Sequence, residues 1–230
     1  MTIVTVGGIK GGSGKTTVAT NLACIAAGQG ADVLLVDADN QETAFDFTNA
    51  RKADNPTAPS YTCVKLTGAS VRTEVLKMAK KYDHVVIDAG GRDTTSQRAA
   101  LSVSNVLLIP CKPRSFDLWA IENVAQLVEE ASTINPTLRA SVFLNQTDPA
   151  GQGSENQDTI EELKKFPGLS YLDAPLGSRK AFAHAASLGL AVTELTRPHH
   201  NPKAVAEIMA LFRGCFKVTM TLPKRQAAGA

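Results

Sequence analysis

Gly7-Gly8-Ile9-Lys10-Gly11-Gly12-Ser13-Gly14-Lys15-Thr16 stands near the start of the chain, after an apolar run, Ile3 to Val6, and before a helix-like stretch, Thr17 to Ala27. Strand, glycine loop and helix in that order are the context a phosphate-binding loop requires. Glycines let backbone N–H groups turn inward around a polyphosphate without Cβ clashes, and the helix N-terminus adds its positive dipole end. Gly11, Gly12, Ser13, Gly14, Lys15, Thr16 and Thr17 are therefore the candidate phosphate cradle. Lys15 supplies a cation for the β and γ phosphates, and Thr16 a hydroxyl for Mg²⁺. The spacing Gly8-x5-Gly14-Lys15-Thr16 is one residue longer than the common form, and a second lysine, Lys10, precedes the glycine pair.

Outward from this loop, strand-like runs fall near 2–6, 33–37, 60–65, 84–88, 104–109, 139–145 and 169–172. Helical patterns fall near 15–28, 41–52, 70–81, 93–102, 116–132, 158–166, 178–188 and 202–214. Alternation of this kind predicts an α/β fold, a mostly parallel sheet of about seven or eight strands with helices on both faces. Val33–Val36, Val85–Ile87 and Val106–Ile109 are continuously apolar, as strands buried on both sides are. Asp158-x-x-Glu161 reads as a capping box opening a helix, and Asp148 to Gln157 as a loop. Residues 1–220 are expected to form one domain and 221–230 a frayed tail. Ligands of such a sheet sit at the carboxyl ends of its strands. Lys10, Lys15, Asp37, Asp39, Asp88, Pro110 and Asn145 all lie at or just past predicted strand ends. Asp88 closes an apolar strand and is expected to hold Mg²⁺ through water.

The 230 residues are 43% hydrophobic and 20% charged, ordinary for a globular protein, and no apolar run approaches a membrane span. The sequence opens directly in a strand, so no signal peptide is expected. Cys24, Cys63, Cys111 and Cys215 lie far apart, with no C-x-x-C, which fits thiols in a reducing cytoplasm and argues against a clustered iron–sulfur site. The net charge of +2 is unevenly placed: from Arg179 onward eight basic residues face two acids, whereas the first 178 residues hold 16 basic and 20 acidic. Such asymmetry points either to a polyanionic partner or to a solvated basic surface.

The string Lys10-Gly-Gly-x-Gly-Lys-Thr-Thr17 resembles the deviant phosphate loop of the ParA/MinD superfamily of ATPases. Val33-Leu-Leu-Val-Asp37-Ala-Asp39-Asn40-Gln41 resembles that family's second motif, His84-Val-Val-Ile-Asp88 its Walker B strand, and Val106-Leu-Leu-Ile-Pro110 the strand after it. Leu176-Gly-Ser-Arg179-Lys180 through Gly189 is similar to a late segment of partition ATPases. The resemblance implies ATP and Mg²⁺ as ligands and an ATP-dependent homodimer. It gives Asp39 the task of orienting the attacking water, and Asp37 a place in the metal shell or in support of the loop. It gives Lys10 a role in trans, reaching the partner's phosphates like an arginine finger. Asn145, with Lys112-Pro113-Arg114 less directly, is a candidate adenine contact. Two segments depart from the family pattern: Asn40 replaces a usual proline, and Ala89-Gly90-Gly91 a usual Thr-Pro-Pro, which is expected to loosen the second segment.

The function this implies is that of a ParA-like ATPase, cytoplasmic and nucleoid-associated. It would bind DNA without sequence preference and position DNA or another large cargo with a ParB-like partner. Arg179, Lys180, Lys203 and Arg213 are its candidate DNA contacts. With the loop starting at residue 7, no N-terminal helix-turn-helix domain is expected. A MinD-like membrane-cycling regulator is the alternative, and it needs an amphipathic C-terminal anchor. Phe216 to Pro223 serves poorly for one, being broken by proline. An ATP-dependent ligase would need a substrate pocket, for which no motif is present.

Overall fold

The computed structural model describes residues 1–8, 10–91, 94–113, 118–148 and 154–216. Arg114, Lys217, Lys224, Arg225 and the expected tail from Thr221 lie outside the described residues. The strands are β1 (Thr2–Val6), β2 (Val33–Asp37), β3 (Thr62–Lys65), β4 (His84–Asp88), β5 (Val106–Cys111), β6 (Arg139–Thr147), β7 (Leu169–Tyr171) and β8 (Leu176–Gly177). The helices are α1 (Lys15–Gly28), α2 (Thr43–Asp54), α3 (Ser70–Met78), α4 (Thr95–Leu101), α5 (Leu118–Ile134), α6 (Ser154–Leu163), α7 (Lys180–Ser187) and α8 (Pro202–Phe216).

The strands pair in the order β3-β2-β4-β1-β5-β6-β7, and every pairing is parallel. Side chains alternate across each strand, so consecutive residues feed opposite cores. Val4, Val6, Leu35, Val86, Leu108 and Phe143 pack on one face with residues of α1, α2, α7 and α8. On the other face Ile3, Leu34, Val36 and Ile87 pack against α3 and α4, and Leu107, Ile109 and Val142 against α5 and α6. Burial on both faces is the reason these strands read as unbroken apolar runs.

Register sets the functional edge. Asp88 pairs with Val6 across β1 and with Asp37 across β2, which brings two carboxylates and the root of the glycine loop to one level. β5 runs two residues past its predicted end, through Pro110. The proline is tolerated because β1 pairs with β5 only as far as Leu108, so no neighbouring strand on that side needs its N–H.

Three local readings are corrected. Helix α6 begins at Ser154, which places Asp158 and Glu161 inside the helix, where neither can cap its start, and takes Ser154 to Gln157 out of the expected loop. β6 continues to Thr147 and pairs with the short β8, with an irregularity between Asn145 and Thr147 where Gln146 adopts φ 58°. No periodicity announces a two-residue strand such as β8.

Candidate nucleotide site

The loop between β1 and α1 wraps the positive end of α1, whose first turn carries no acidic residue. Gly14 caps the helix at φ 88°, a left-handed conformation. It also has no room for a side chain: a Cβ there would lie 2.5 Å from Asn145 Nδ2. That amide donates to the Ser13 carbonyl at 2.6 Å. Asn145, which the sequence nominated as an adenine contact, braces β6 against the loop and also lines a smaller cavity beside it.

Lys15 is 6% exposed and its Nζ donates to the carbonyl oxygen of Lys10 at 2.8 Å. Burial lowers its pKa, with Asp88 and Asp39 opposing the shift. Lys10, on the same loop, is solvent-exposed. An anion entering the basin above Lys15 would replace a backbone carbonyl as its partner, at little cost in reorganisation.

Asp88 lies beneath. Burial pushes its carboxyl up to about 7; Asp37 and Asp39 add to the shift, while the Thr16 hydroxyl and Lys15 oppose it. Neither of its buried oxygens has a donor in hydrogen-bonding geometry, although Thr16 is near enough to favour the charged form. An orphaned buried carboxylate beside a hydroxyl is a donor set that fits Mg²⁺, a hard cation taking oxygen ligands and retained water. Thr16 and Asp88 would hold the ion.

Asp37 braces the turn that follows β2. Its Oδ1 accepts the N–H of Asp39 at 3.1 Å and its Oδ2 that of Phe45 at 2.8 Å. Both oxygens take part in shaping the turn into α2. Asp39 is half-buried, and its Oδ1 accepts the N–H of Gln41 at 3.2 Å. Asp39, Lys10, Lys15, Thr16, Gly91 and Ser96 are among the residues lining a basin of about 950 Å³ over the loop.

The segment after β4 departs from expectation. A Cβ on Gly90 would lie 3.3 Å from the Asp39 carboxylate, and one on Gly91 3.0 Å from the Gly11 backbone and 3.1 Å from Lys15 Nζ. The paired glycines let this segment press against the phosphate loop, where the sequence suggested only looseness. Two glycines in succession after a buried strand were the visible signal, and packing gives it its meaning.

The four basic residues nominated for DNA separate. Lys180, Lys203 and Arg213 are exposed. Arg179 is paired with Glu207 on α8 through both Nε, at 2.8 Å, and Nη2, and its side chain is only 15% exposed. A guanidinium so engaged is not a free surface cation. Glu207, which no sequence motif marks, also accepts the Gly177 N–H at 3.1 Å.

A glycine loop around a left-handed helix cap, a buried lysine and a hydroxyl–carboxylate pair at one sheet edge together define a P-loop nucleotide-binding protein. The chain belongs to the CobQ/CobB/MinD/ParA nucleotide binding domain family, whose profile matches residues 4–192. It is 31% identical over 195 residues to maintenance of carboxysome distribution protein A of Halothiobacillus neapolitanus, covering 83% of this chain and 86% of that protein. It is 25% identical over 224 residues to protein ParA of Rhizobium radiobacter, covering 93% and 97%. Its fold is similar to that of an ATP complex of Cyanothece McdA, with a TM-score of 0.72 at 17% identity, covering 92% of this chain and 96% of that one. Among the described residues no helix is long and apolar enough to cross a membrane.

Proposed function

We propose that this chain is a Mg²⁺-dependent ATPase that dimerises around ATP, binds nucleoid DNA without sequence preference and positions a large cargo through a ParB-like adaptor. One observation carries the reading: the two lysines of one loop are disposed oppositely. Lys15 is buried against its own loop, whereas Lys10 is presented to solvent at the basin's rim. A buried lysine serves the nucleotide of its own subunit, and an exposed one at the rim can serve a second subunit facing it. Asp39, which lines the basin, orients the attacking water in this reading. Relatives named for ParA and for carboxysome distribution support the positioning role. Lys180, Lys203 and Arg213, exposed in the basic last quarter, supply phosphate contacts in this reading. Their individual weakness makes binding depend on the dimer, which joins two patches into one.

The test combines light scattering, ATP turnover and retardation of unrelated duplexes across a salt series. Wild type is expected to dimerise with ATP and to shift DNA, with affinity falling steeply as salt rises. Lys15→Ala should lose nucleotide binding. Lys10→Ala should bind ATP yet stay monomeric and inactive. Lys203→Glu with Arg213→Glu should dimerise without shifting DNA. A normal ATP dimer and normal turnover in Lys10→Ala would refute the role in trans. A vesicle pull-down in parallel tests the membrane-cycling alternative.

A further inference from the structure

The turn that carries Asp39 from β2 into α2 ends on a strained residue. Glu42 has φ 54° and ψ 23°, a left-handed conformation that residues with a Cβ seldom take. It occupies the cap position of α2, yet its side chain makes no capping hydrogen bond. The carboxylate instead accepts from Lys65 Nζ on β3 at 2.9 Å, and that ammonium lies 4.8 Å from the centroid of the Phe45 ring. We propose that Lys65, through Glu42, is a positioning residue for Asp39: the ion pair holds the left-handed corner, and the corner sets where the Asp39 carboxylate stands in the basin. This rests on the ATPase reading above, in which Asp39 orients water, and adds to it the device that keeps Asp39 in place.

Strand register puts Lys65 within reach. It pairs with Asp37, the last residue of β2, so the edge strand ends level with the start of the turn. Asp39 is tied to the corner at two points. Its carbonyl accepts the Glu42 N–H at 3.1 Å, closing a four-residue turn, and its Oδ1 accepts the Gln41 N–H at 3.2 Å. Past the corner the Phe45 N–H is held by Asp37 Oδ2 at 2.8 Å, and the Phe45 ring is the one that Lys65 covers. The Lys65 and Glu42 side chains are 42% and 49% exposed. A pair so exposed adds little to global stability, because water and salt screen it. The cost of a left-handed residue that carries a side chain is of the same order. Two effects so closely matched decide the population of one turn rather than that of the fold, and Asp39 is the acid that turn carries.

The experiment joins amide hydrogen exchange on the nucleotide-free full chain to ATP turnover and calorimetric Mg·ATP binding. Lys65→Met removes the charge and keeps an apolar stem. It is expected to speed exchange of the Glu42 and Phe45 N–H groups about fivefold and to lower kcat about as much, with Mg·ATP affinity within about twofold of wild type. Glycine takes the left-handed corner without help, so Glu42→Gly added to Lys65→Met should restore most of the lost kcat and slow the Phe45 N–H again. Exchange or kcat unchanged in Lys65→Met overturns the proposal. So does a loss of kcat that Glu42→Gly leaves in place, which would give Lys65 a role apart from the corner. Loss of ATP affinity in step with kcat overturns it as well, making the pair a support of the whole site. A wild type without ATP turnover refutes the ATPase reading itself, and the positioning role falls with it whether or not exchange at the corner responds.

Discussion

The Asn145 side chain donates to the Ser13 carbonyl at 2.6 Å, so the carboxyl end of β6 holds the turn that shapes the phosphate loop. The contact spans 132 residues of sequence and is buried, where a hydrogen bond contributes about 1 kcal/mol net and its loss leaves a carbonyl without a partner. Asn145→Ala is expected to lower stability by about 1–2 kcal/mol and to weaken Mg·ATP. Gly14→Ala is expected to be worse, since φ 88° disfavours any side chain and its Cβ would meet that amide. Urea denaturation and calorimetry check both. Gly14→Ala with wild-type ATP affinity would contradict the loop geometry.

The two acids of Asp37-Ala38-Asp39 are expected to separate by assay. Asp37 takes two backbone N–H groups, and Asp37→Ala leaves both without their acceptor. Its stability should fall by about 2–3 kcal/mol, the scale for hydrogen bonds to a charged group. Asp39→Ala should change stability by less than about 0.5 kcal/mol, keep ATP binding and lose turnover. Equal stability losses, or loss of ATP binding in Asp39→Ala, would reverse this division.

Gly91→Ala places a methyl 3.0 Å from the Gly11 backbone, so the segment after β4 must withdraw from the phosphate loop. Overpacking of this kind costs about 1–3 kcal/mol. The nucleotide-free protein should be destabilised on that scale in urea, and hydrolysis slowed with it. A variant indistinguishable from wild type in both measurements would show that this approach carries no weight.

His84 provides the pH test. Its ring meets Phe216 edge-on with centroids 4.7 Å apart, and its Nδ1 is buried without a hydrogen-bond partner. Burial lowers its pKa, the N-terminal ammonium adds to the shift, and Asp83 opposes it. The folded pKa lies below the unfolded one, so the unfolded chain takes up the proton first. The stabilisation is therefore complete above the unfolded pKa, near 6.5, and is lost as pH falls through the folded value. Between pH 7.5 and about 5, wild type should lose more stability in urea than His84→Gln does. Parallel pH profiles would remove His84 as the source.

The chain's own order of residues determined the parallel sheet, the glycine loop and the level at which Lys15, Asp37, Asp39 and Asp88 gather. These follow from short-range physics: apolar runs of strand length, glycines where the backbone must turn inward, and acids where an apolar strand stops. The tertiary structure decided what each group does once there. Asp37, buried, braces a turn because the N–H groups of Asp39 and Phe45 come to its oxygens, and the glycines after Asp88 became a contact because the phosphate loop folds against them. Arg179 looked like one more cation in a basic quarter, until α8 brought Glu207 against it from 28 residues away. A sequence records charge and periodicity along the chain. Partners chosen by packing between distant segments exist only after the core has set their separation.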